Sequence, residues 1–163
     1  MDPDAFVAGT ATLIGAVTVE AGASIWYNAV LRADRAPITV RAGANVQDGS
    51  VVHTSQDLPC EIGPGSTVGH LCVVHGATIG AGAMVANGST VLDGATIGAG
   101  SLVAAHSLVA EGTQVPDGVL VAGSPAVVKR SIEGTPVGSM VAGVPKVYVE
   151  LARRHAEGVE AIG

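Results

Sequence analysis

The stretch from Ile79 to Val103, "IGAGAMVANGSTVLDGATIGAGSLV", repeats a six-residue pattern without interruption. A large aliphatic residue occupies every sixth position, and a glycine usually follows three places later. An amphipathic helix places apolar residues three or four positions apart and a half-buried strand places them two apart, so neither explains the spacing. Short repeats of constant length instead indicate a solenoid in which each repeat contributes one strand and one turn.

The same pattern continues on both sides of this stretch. Each repeat also carries a small residue, mostly Ala, Ser or Cys, four places after the aliphatic one. One large and one small inward side chain per repeat predict a narrow core, which suits a chain with 48% hydrophobic but only 2% aromatic residues. The aliphatic positions are Val7, Leu13, Val19, Ile25, Leu31, Val40, Val46, Val52, Ile62, Val68, Val74, Ile79, Val85, Val91, Ile97, Val103, Val109, Val115 and Val121.

The pattern predicts an all-β fold, a parallel β-helix in which three hexapeptide repeats form one coil of a triangular prism and coils stack about 4.8 Å apart. The repeated glycines predict turns with positive φ, and Asn28 and His106, which replace glycine in two repeats, tolerate that conformation better than most residues. Such chains resemble the left-handed parallel β-helix of the hexapeptide-repeat proteins, and the left hand is implied by that resemblance.

We expect two parts, a β-helix domain over residues 1–125 and a C-terminal extension over residues 126–163. Within the extension, "KVYVELARRHAEG" at 146–158 predicts an α-helix that ends at Gly158. We expect this helix to pack back along the prism and brace it.

Composition excludes several classes of partner. The chain has 8 basic and 14 acidic residues, a net charge of −6, and no basic stripe, so we expect neither nucleic acid nor an anionic membrane as a partner. No apolar stretch is long enough to span a bilayer, and the N-terminus carries aspartates where a signal peptide needs positive charge. We therefore expect a cytoplasmic protein. Cys60 and Cys72 fall at small inward positions, which predicts buried free thiols.

Three repeats return the chain to the same corner of the prism, one coil higher. Leu31, Val52 and Val74 share a corner by this count, and the residues that follow them are Arg32, His53 and His75. These residues should form a column on one outer edge, with His53 and His75 about 4.8 Å apart at the backbone. Val46 and Val68 share a different corner, which brings Gln47 and Asp48 close to His70.

The two corners are separated by a strand of several residues at about 3.3 Å each, whereas metal–nitrogen bonds are about 2.1 Å long. The three histidines therefore cannot meet within one chain. A threefold assembly that sets the His53 and His75 edge of one subunit against the His70 edge of the next creates three equivalent sites. Three imidazoles with an open fourth position are typical of a catalytic metal site, in which bound water is acidified to a pKa of about 7 and supplies hydroxide.

The regular spacing breaks only around these residues, in "RADRAPIT", in "HTSQDLPCE" and between Val74 and Ile79. Irregular repeats in a solenoid tend to mark its working face. The interruptions therefore favour a functional site at this edge.

The motifs at this edge, "LRAD" at 31–34, "NVQDG" at 45–49, His53, "VGH" ending at His70 and "HG" at 75–76, resemble the γ-class carbonic anhydrase family, as does the histidine spacing of 17 and then 5. The resemblance implies a homotrimer that binds Zn²⁺, or alternatively Fe²⁺ or Co²⁺, at each subunit interface. His53 and His75 of one chain and His70 of its neighbour would be the metal ligands. The implied reaction is hydration of carbon dioxide to bicarbonate.

The resemblance also implies catalytic roles for four further residues. Arg32, Asp34 and Asp48 correspond to an intersubunit ion-pair network, and Gln47 to a residue that hydrogen-bonds near the nucleophile at the metal. Arg35 stands where well-studied family members have a glutamate, and the acidic loop that shuttles protons in them is short here. Since fast turnover requires proton transfer to solvent, this departure predicts intact metal binding with weak activity.

Three alternatives stay open at the level of sequence. Short chains of this type are grouped with accessory proteins of carnitine or phenylacetate pathways, for which thioester hydrolysis has been proposed. Many hexapeptide-repeat trimers are coenzyme A-dependent acyltransferases that use one histidine as general base. A trimeric scaffold that keeps the metal only as an interface staple is the third alternative.

Overall fold

A computed structural model describes residues 1–159 of the chain. It consists of short strands followed by one helix. The strands are β1 (Phe6–Val7), β2 (Thr12–Val19), β3 (Ser24–Ile25), β4 (Val30–Val40), β5 (Asn45–Val46), β6 (Val51–His53), β7 (Cys60–Ile62), β8 (Thr67–Val68), β9 (Val73–His75), β10 (Thr78–Ile79), β11 (Met84–Val85), β12 (Thr90–Val91), β13 (Thr96–Ile97), β14 (Leu102–Val103), β15 (Leu108–Val109), β16 (Gln114–Val115), β17 (Val119–Gly123) and β18 (Ala126–Ser131), and the helix is α1 (Pro136–Gly158).

The strands form a parallel β-helix, as the six-residue period predicts. It has about six turns. One face of the prism is a sheet in the order β1-β3-β5-β8-β11-β14-β17-β18. The other two faces are a single sheet because β4 bends over the corner between them, its first residues pairing with β6 and its last with β7. β6, β9, β12 and β15 lie on the second face, and β7, β10, β13 and β16 on the third.

The core is as narrow as the pattern predicts. The aliphatic positions from Val19 to Val121 are buried, and small residues such as Ala29, Ser50 and Ser66 are fully buried between them. Cys60 and Cys72 are buried free thiols, which confirms their expected role as small core residues. The turn residues also agree, since the repeat glycines, Asn28 and His106 all have positive φ.

A second class of glycine, at the start of the turn, is required by close stacking of coils. A Cβ atom on Gly98 would lie 2.4 Å from the carbonyl carbon and oxygen of Pro116 in the next coil, whereas one on Gly100 would meet nothing within 4 Å. Gly100 needs only its positive φ of 62°. Backbone atoms cannot rotate away as a side chain can. A substitution by alanine should therefore be less well tolerated at Gly98 than at Gly100.

We expect Gly98→Ala to lower the free energy of unfolding by about 3 kcal/mol or more, because it overpacks a backbone contact. Gly100→Ala should cost about 1 kcal/mol, the strain of a left-handed alanine. Urea unfolding at matched protein concentration measures both. Equal losses in the two variants would contradict the steric explanation.

The C-terminal part differs from the prediction in two respects. β18 returns antiparallel onto β17, a strand that the sixfold pattern does not indicate. The helix begins at Pro136, well before the predicted start at Lys146, because Thr135 accepts a hydrogen bond from the Gly138 N–H at 3.2 Å and Pro136 suits the first turn. Pro145 lies inside the helix without ending it. The end at Gly158 is confirmed, and residues 160–163 of the predicted extension lie outside the described residues.

Helix α1 packs along the first face of the prism, against β1 and β3 at one end. At the other end Val141 joins a small core with Leu102 and Ile132. The ring of Tyr148 packs edge-on against Trp26 with centroids 5.3 Å apart. The predicted bracing helix is therefore confirmed. No helix within residues 1–159 combines the length and the apolar character that crossing a bilayer requires.

Candidate metal centre

Two histidines converge at the corner where the second face ends. The register pairs Arg32 with His53 and His53 with His75, as the sixfold count predicts. The preceding residues, Val52 and Val74, point into the core, so both imidazoles project from the outer edge. His53 Nδ1 lies 2.9 Å from His75 Nε2.

A carboxylate holds the other ring nitrogen of each of these histidines. Asp34 Oδ1 lies 3.0 Å from His53 Nε2, and Asp93 Oδ1 lies 2.5 Å from His75 Nδ1. The hydrogen bond from His53 and the neighbouring Arg32 guanidinium lower the pKa of Asp34. Hydrogen bonds from Ser55 and then His75 lower the pKa of Asp93. Both aspartates are therefore ionised acceptors near neutral pH.

This arrangement fits a metal ion. An ionised carboxylate only accepts hydrogen bonds, so the proton of each neutral imidazole lies on the nitrogen that faces its aspartate. In these tautomers His53 Nδ1 and His75 Nε2 both face inward as acceptors, 2.9 Å apart, and a cation between them would satisfy both lone pairs. A tetrahedral metal with bonds of about 2.1 Å holds its ligand nitrogens about 3.4 Å apart, so the rings need to separate by only about 0.5 Å.

Local backbone features shape this corner. A Cβ atom on Gly15 would lie 2.2 Å from the Ala33 carbonyl oxygen, so only glycine lets β2 follow β4 through the bulge that carries Asp34. The Thr54 hydroxyl accepts a hydrogen bond from the Ala36 N–H at 3.1 Å. The two interruptions of the sixfold pattern are thus tied together beside the histidines.

His70 lies at a different corner, between β8 and β9. Its Nδ1 is 2.8 Å from Asp48 Oδ2, and its Nε2 is 3.3 Å from the hydroxyl of Tyr148 on α1. Asp48 thus plays the part that Asp34 and Asp93 play for the other histidines, and Nε2 is the bare nitrogen. Asp48 also accepts a hydrogen bond from the Tyr27 N–H at 3.1 Å.

One protomer does not bring the three histidines together. His70 lies in the turn before β9 and His75 ends β9, so the two residues stand at opposite ends of one side of the prism. Within residues 1–159, no group of three His, Cys, Asp or Glu side chains in a single chain is arranged to hold a metal ion.

The four residues with implied catalytic roles are placed differently. Arg32 forms an ion pair with Asp34, and Asp34 contacts His53, all within one protomer. Gln47 is buried, and its amide donates to the Asn45 side chain at 3.0 Å. Gln47 therefore lies beside Asp48 on the same coil, and its amide is held by the Asn45 side chain.

Sequence reasoning missed three residues at these corners: Asp93, Ser55 and Tyr148. The column count could have found the first, because Val91 pairs with Val74 and Asp93 lies two positions further on. Ser55 lies in the irregular loop after His53, for which the period gives no position. Tyr148 is on a helix whose path along the prism no repeat specifies.

Comparison with known proteins adds a family context. No family model matches the chain. It is 40% identical over 162 residues to a protein named γ carbonic anhydrase 2, mitochondrial, from Arabidopsis thaliana, a match that covers 96% of this chain and 58% of the relative. It is 42% identical over 91 residues, 56% of this chain and 46% of the relative, to the carnitine operon protein CaiE of Escherichia coli.

A solved structure of a hexapeptide transferase family protein from Anaplasma phagocytophilum is 40% identical, with a TM-score of 0.89. That match covers 94% of this chain and 90% of the other. By contrast, the chain spans less than two thirds of the length of either curated relative.

Proposed function

Because the chain belongs to the hexapeptide-repeat family and is related within it to the γ-class carbonic anhydrases, we propose that it is a homotrimeric metalloenzyme that hydrates carbon dioxide to bicarbonate. The observation that carries the proposal is the 2.9 Å approach of His53 Nδ1 and His75 Nε2, each on a ring whose other nitrogen contacts an aspartate. The cytoplasmic location stays a prediction.

The proposed ligand set is His53 Nδ1 and His75 Nε2 of one subunit with His70 Nε2 of the neighbouring subunit. Two imidazoles leave a divalent ion short of the coordination it needs, and on its own edge His70 has one ring nitrogen that no carboxylate holds. A threefold ring brings the two edges together three times. Metal binding would require the Tyr148 hydroxyl, which contacts His70 Nε2 in the protomer, to release that nitrogen.

His53, His75 and the neighbour's His70 would hold a divalent ion whose bound water has a pKa of about 7, which would supply a nucleophile at neutral pH. Zn²⁺ is the proposed ion, and Fe²⁺ and Co²⁺ accept the same ligands. Asp34 and Asp48 orient the ligand rings and fix their tautomers. His53 and then Arg32 lower the pKa of Asp34 and so favour its ionised form. Gln47 is proposed to hydrogen-bond near the reacting oxygen.

Proton removal is the step for which the chain is least equipped. Arg35 follows Asp34 and is exposed, and a guanidinium cannot accept a proton at neutral pH. Turnover should therefore be limited by proton transfer to buffer, so we expect the rate to rise with buffer concentration.

The solved relative described as a hexapeptide transferase favours a second candidate, group transfer, for which we propose acyl transfer from coenzyme A. That reaction needs one histidine as general base and no metal. Hydrolysis of a thioester at the proposed metal site is a variant of the first candidate. A further alternative is a trimer in which the metal only joins the subunits and no reaction is catalysed.

The test is metal content per chain, by elemental analysis of protein purified without chelator or nickel, followed by a carbon dioxide hydration assay. We expect about one metal ion per chain, since a trimer has as many interfaces as subunits. His106→Ala, which removes a histidine at the same corner as His70 but two coils away, should bind as much metal as the wild type. Metal-free protein that binds coenzyme A saturably would instead support the acyltransferase.

A further inference from the structure

We propose that Asp93, held in place by Ser55, is a positioning residue that fixes the ring of His75 for metal binding. This inference rests on the proposed function and adds to it residues outside the family motifs. Asp93 contacts His75 and not the ion, so its contribution is to the orientation, tautomer and basicity of a ligand.

Asp93 is held between two partners. Its Oδ1 accepts from His75 Nδ1 at 2.5 Å, and its Oδ2 accepts from the Ser55 hydroxyl at 2.6 Å. Asp93 is the less exposed of the two aspartates that contact the converging histidines, with 27% of its side chain accessible against 42% for Asp34. Two hydrogen bonds leave the carboxylate with one orientation, and the His75 ring takes its orientation from the carboxylate.

The backbone around Asp93 is shaped for this contact. A Cβ atom on Gly76 would lie 2.5 Å from Asp93 Oδ1 and 3.2 Å from Leu58 Cβ, so a larger residue would push the carboxylate from His75. The loop between β6 and β7 folds back through a bridge between Ser55 and Leu58, which places the Ser55 hydroxyl on the far side of Asp93. The irregular loop therefore has a defined role, since it positions the Ser55 hydroxyl to donate a hydrogen bond to Asp93.

Loss of Asp93 should loosen the ligand in two ways. The His75 ring would be free to rotate, and its proton could move to Nε2, the nitrogen needed by the ion. Substitutions of such residues typically weaken metal affinity 10- to 100-fold. We expect Asp93→Ala to weaken Zn²⁺ affinity by about that factor, Asp93→Asn by less because the amide oxygen still accepts from Nδ1, and Ser55→Ala by a few-fold.

The experiment measures Zn²⁺ affinity by competition with a chromophoric chelator, with the visible spectrum of the Co²⁺-loaded protein as a second readout. Asp117→Ala is the matched control, since Asp117 also occupies the second position after a core valine but accepts from the Ala99 N–H, away from the histidines. Asp117→Ala should keep wild-type affinity. Thermal unfolding of the metal-free proteins separates a general loss of stability from a loss of metal binding.

Wild-type Zn²⁺ affinity and an unchanged Co²⁺ spectrum in Asp93→Ala would overturn this inference while leaving the proposed function intact. Absence of Zn²⁺ binding in the wild type would overturn both. If Asp93→Ala does not fold, Asp93→Asn and Ser55→Ala carry the test, and wild-type affinity in both would be equally decisive.

Discussion

His53→Ala and His70→Ala should each lose bound metal and carbon dioxide hydration, whereas an equal mixture of the two, unfolded and refolded together, should recover about one quarter of both. Each proposed site needs His53 from one subunit and His70 from the next. In randomly assembled trimers a given site has one chance in two of each intact residue, hence about one in four overall. Elemental analysis and a stopped-flow hydration assay measure the recovery.

The matched control is a mixture of His53→Ala with His75→Ala. In the proposed site these two ligands come from the same subunit. No arrangement of these subunits rebuilds a complete ligand set, so this mixture should recover nothing. Wild-type protein taken through the same refolding sets the maximum. Full recovery of the wild type together with no recovery from the His53→Ala and His70→Ala mixture would exclude a site shared between subunits.

The arrangement at the two corners could be predicted because a β-helix is nearly one-dimensional. Each residue contacts the residue one coil away, so counting repeats from Leu31 to Val52 to Val74 is enough to align His53 with His75. The same count brings Asp48 close to His70, and their side chains are 2.8 Å apart. The glycines, the small core residues and the buried thiols follow from the same periodicity.

Features outside the period could not be predicted in this way. The start of α1 depends on Thr135 as a cap, a local signal that the apolar "KVYVELARRHAEG" pattern outweighed in the prediction. The contact between Tyr148 and His70 depends on which face of the prism the helix follows, and that is decided by packing on Trp26. Ser55 reaches Asp93 through a loop that has no counterpart in the repeat.

Both the repeat and the segments outside it contribute residues to the proposed metal centre. The repeat sets where the three histidines stand, while side chains from outside the repeat contact His70 and support the aspartate beside His75. His75 is oriented through Asp93 by a loop residue, and His70 is contacted by a helix residue. Variants of the irregular segments should therefore alter metal affinity without altering the β-helix.

Removal of the metal by a chelator should lower the midpoint of thermal unfolding and weaken the trimer. In the metal-free protein, no ion joins His53 and His75, whose facing nitrogens lie 2.9 Å apart, to the neighbouring subunit. A ligand that binds only the folded state at 1,000 times its dissociation constant stabilises it by about 4 kcal/mol. We expect a destabilisation of about this size, measured by calorimetry at fixed protein concentration with and without added Zn²⁺.

The control for this prediction is His70→Ala, which lacks one of the three proposed ligands and should unfold at the same temperature with and without chelator. Its midpoint should match that of the metal-free wild type, because both lack the ion that bridges the subunits. A chelator effect of equal size in His70→Ala would mean that the ion acts at another place in the chain. Trimers that stay intact in both proteins without metal would limit its role to the reaction, since the subunit contacts alone would then hold the assembly together.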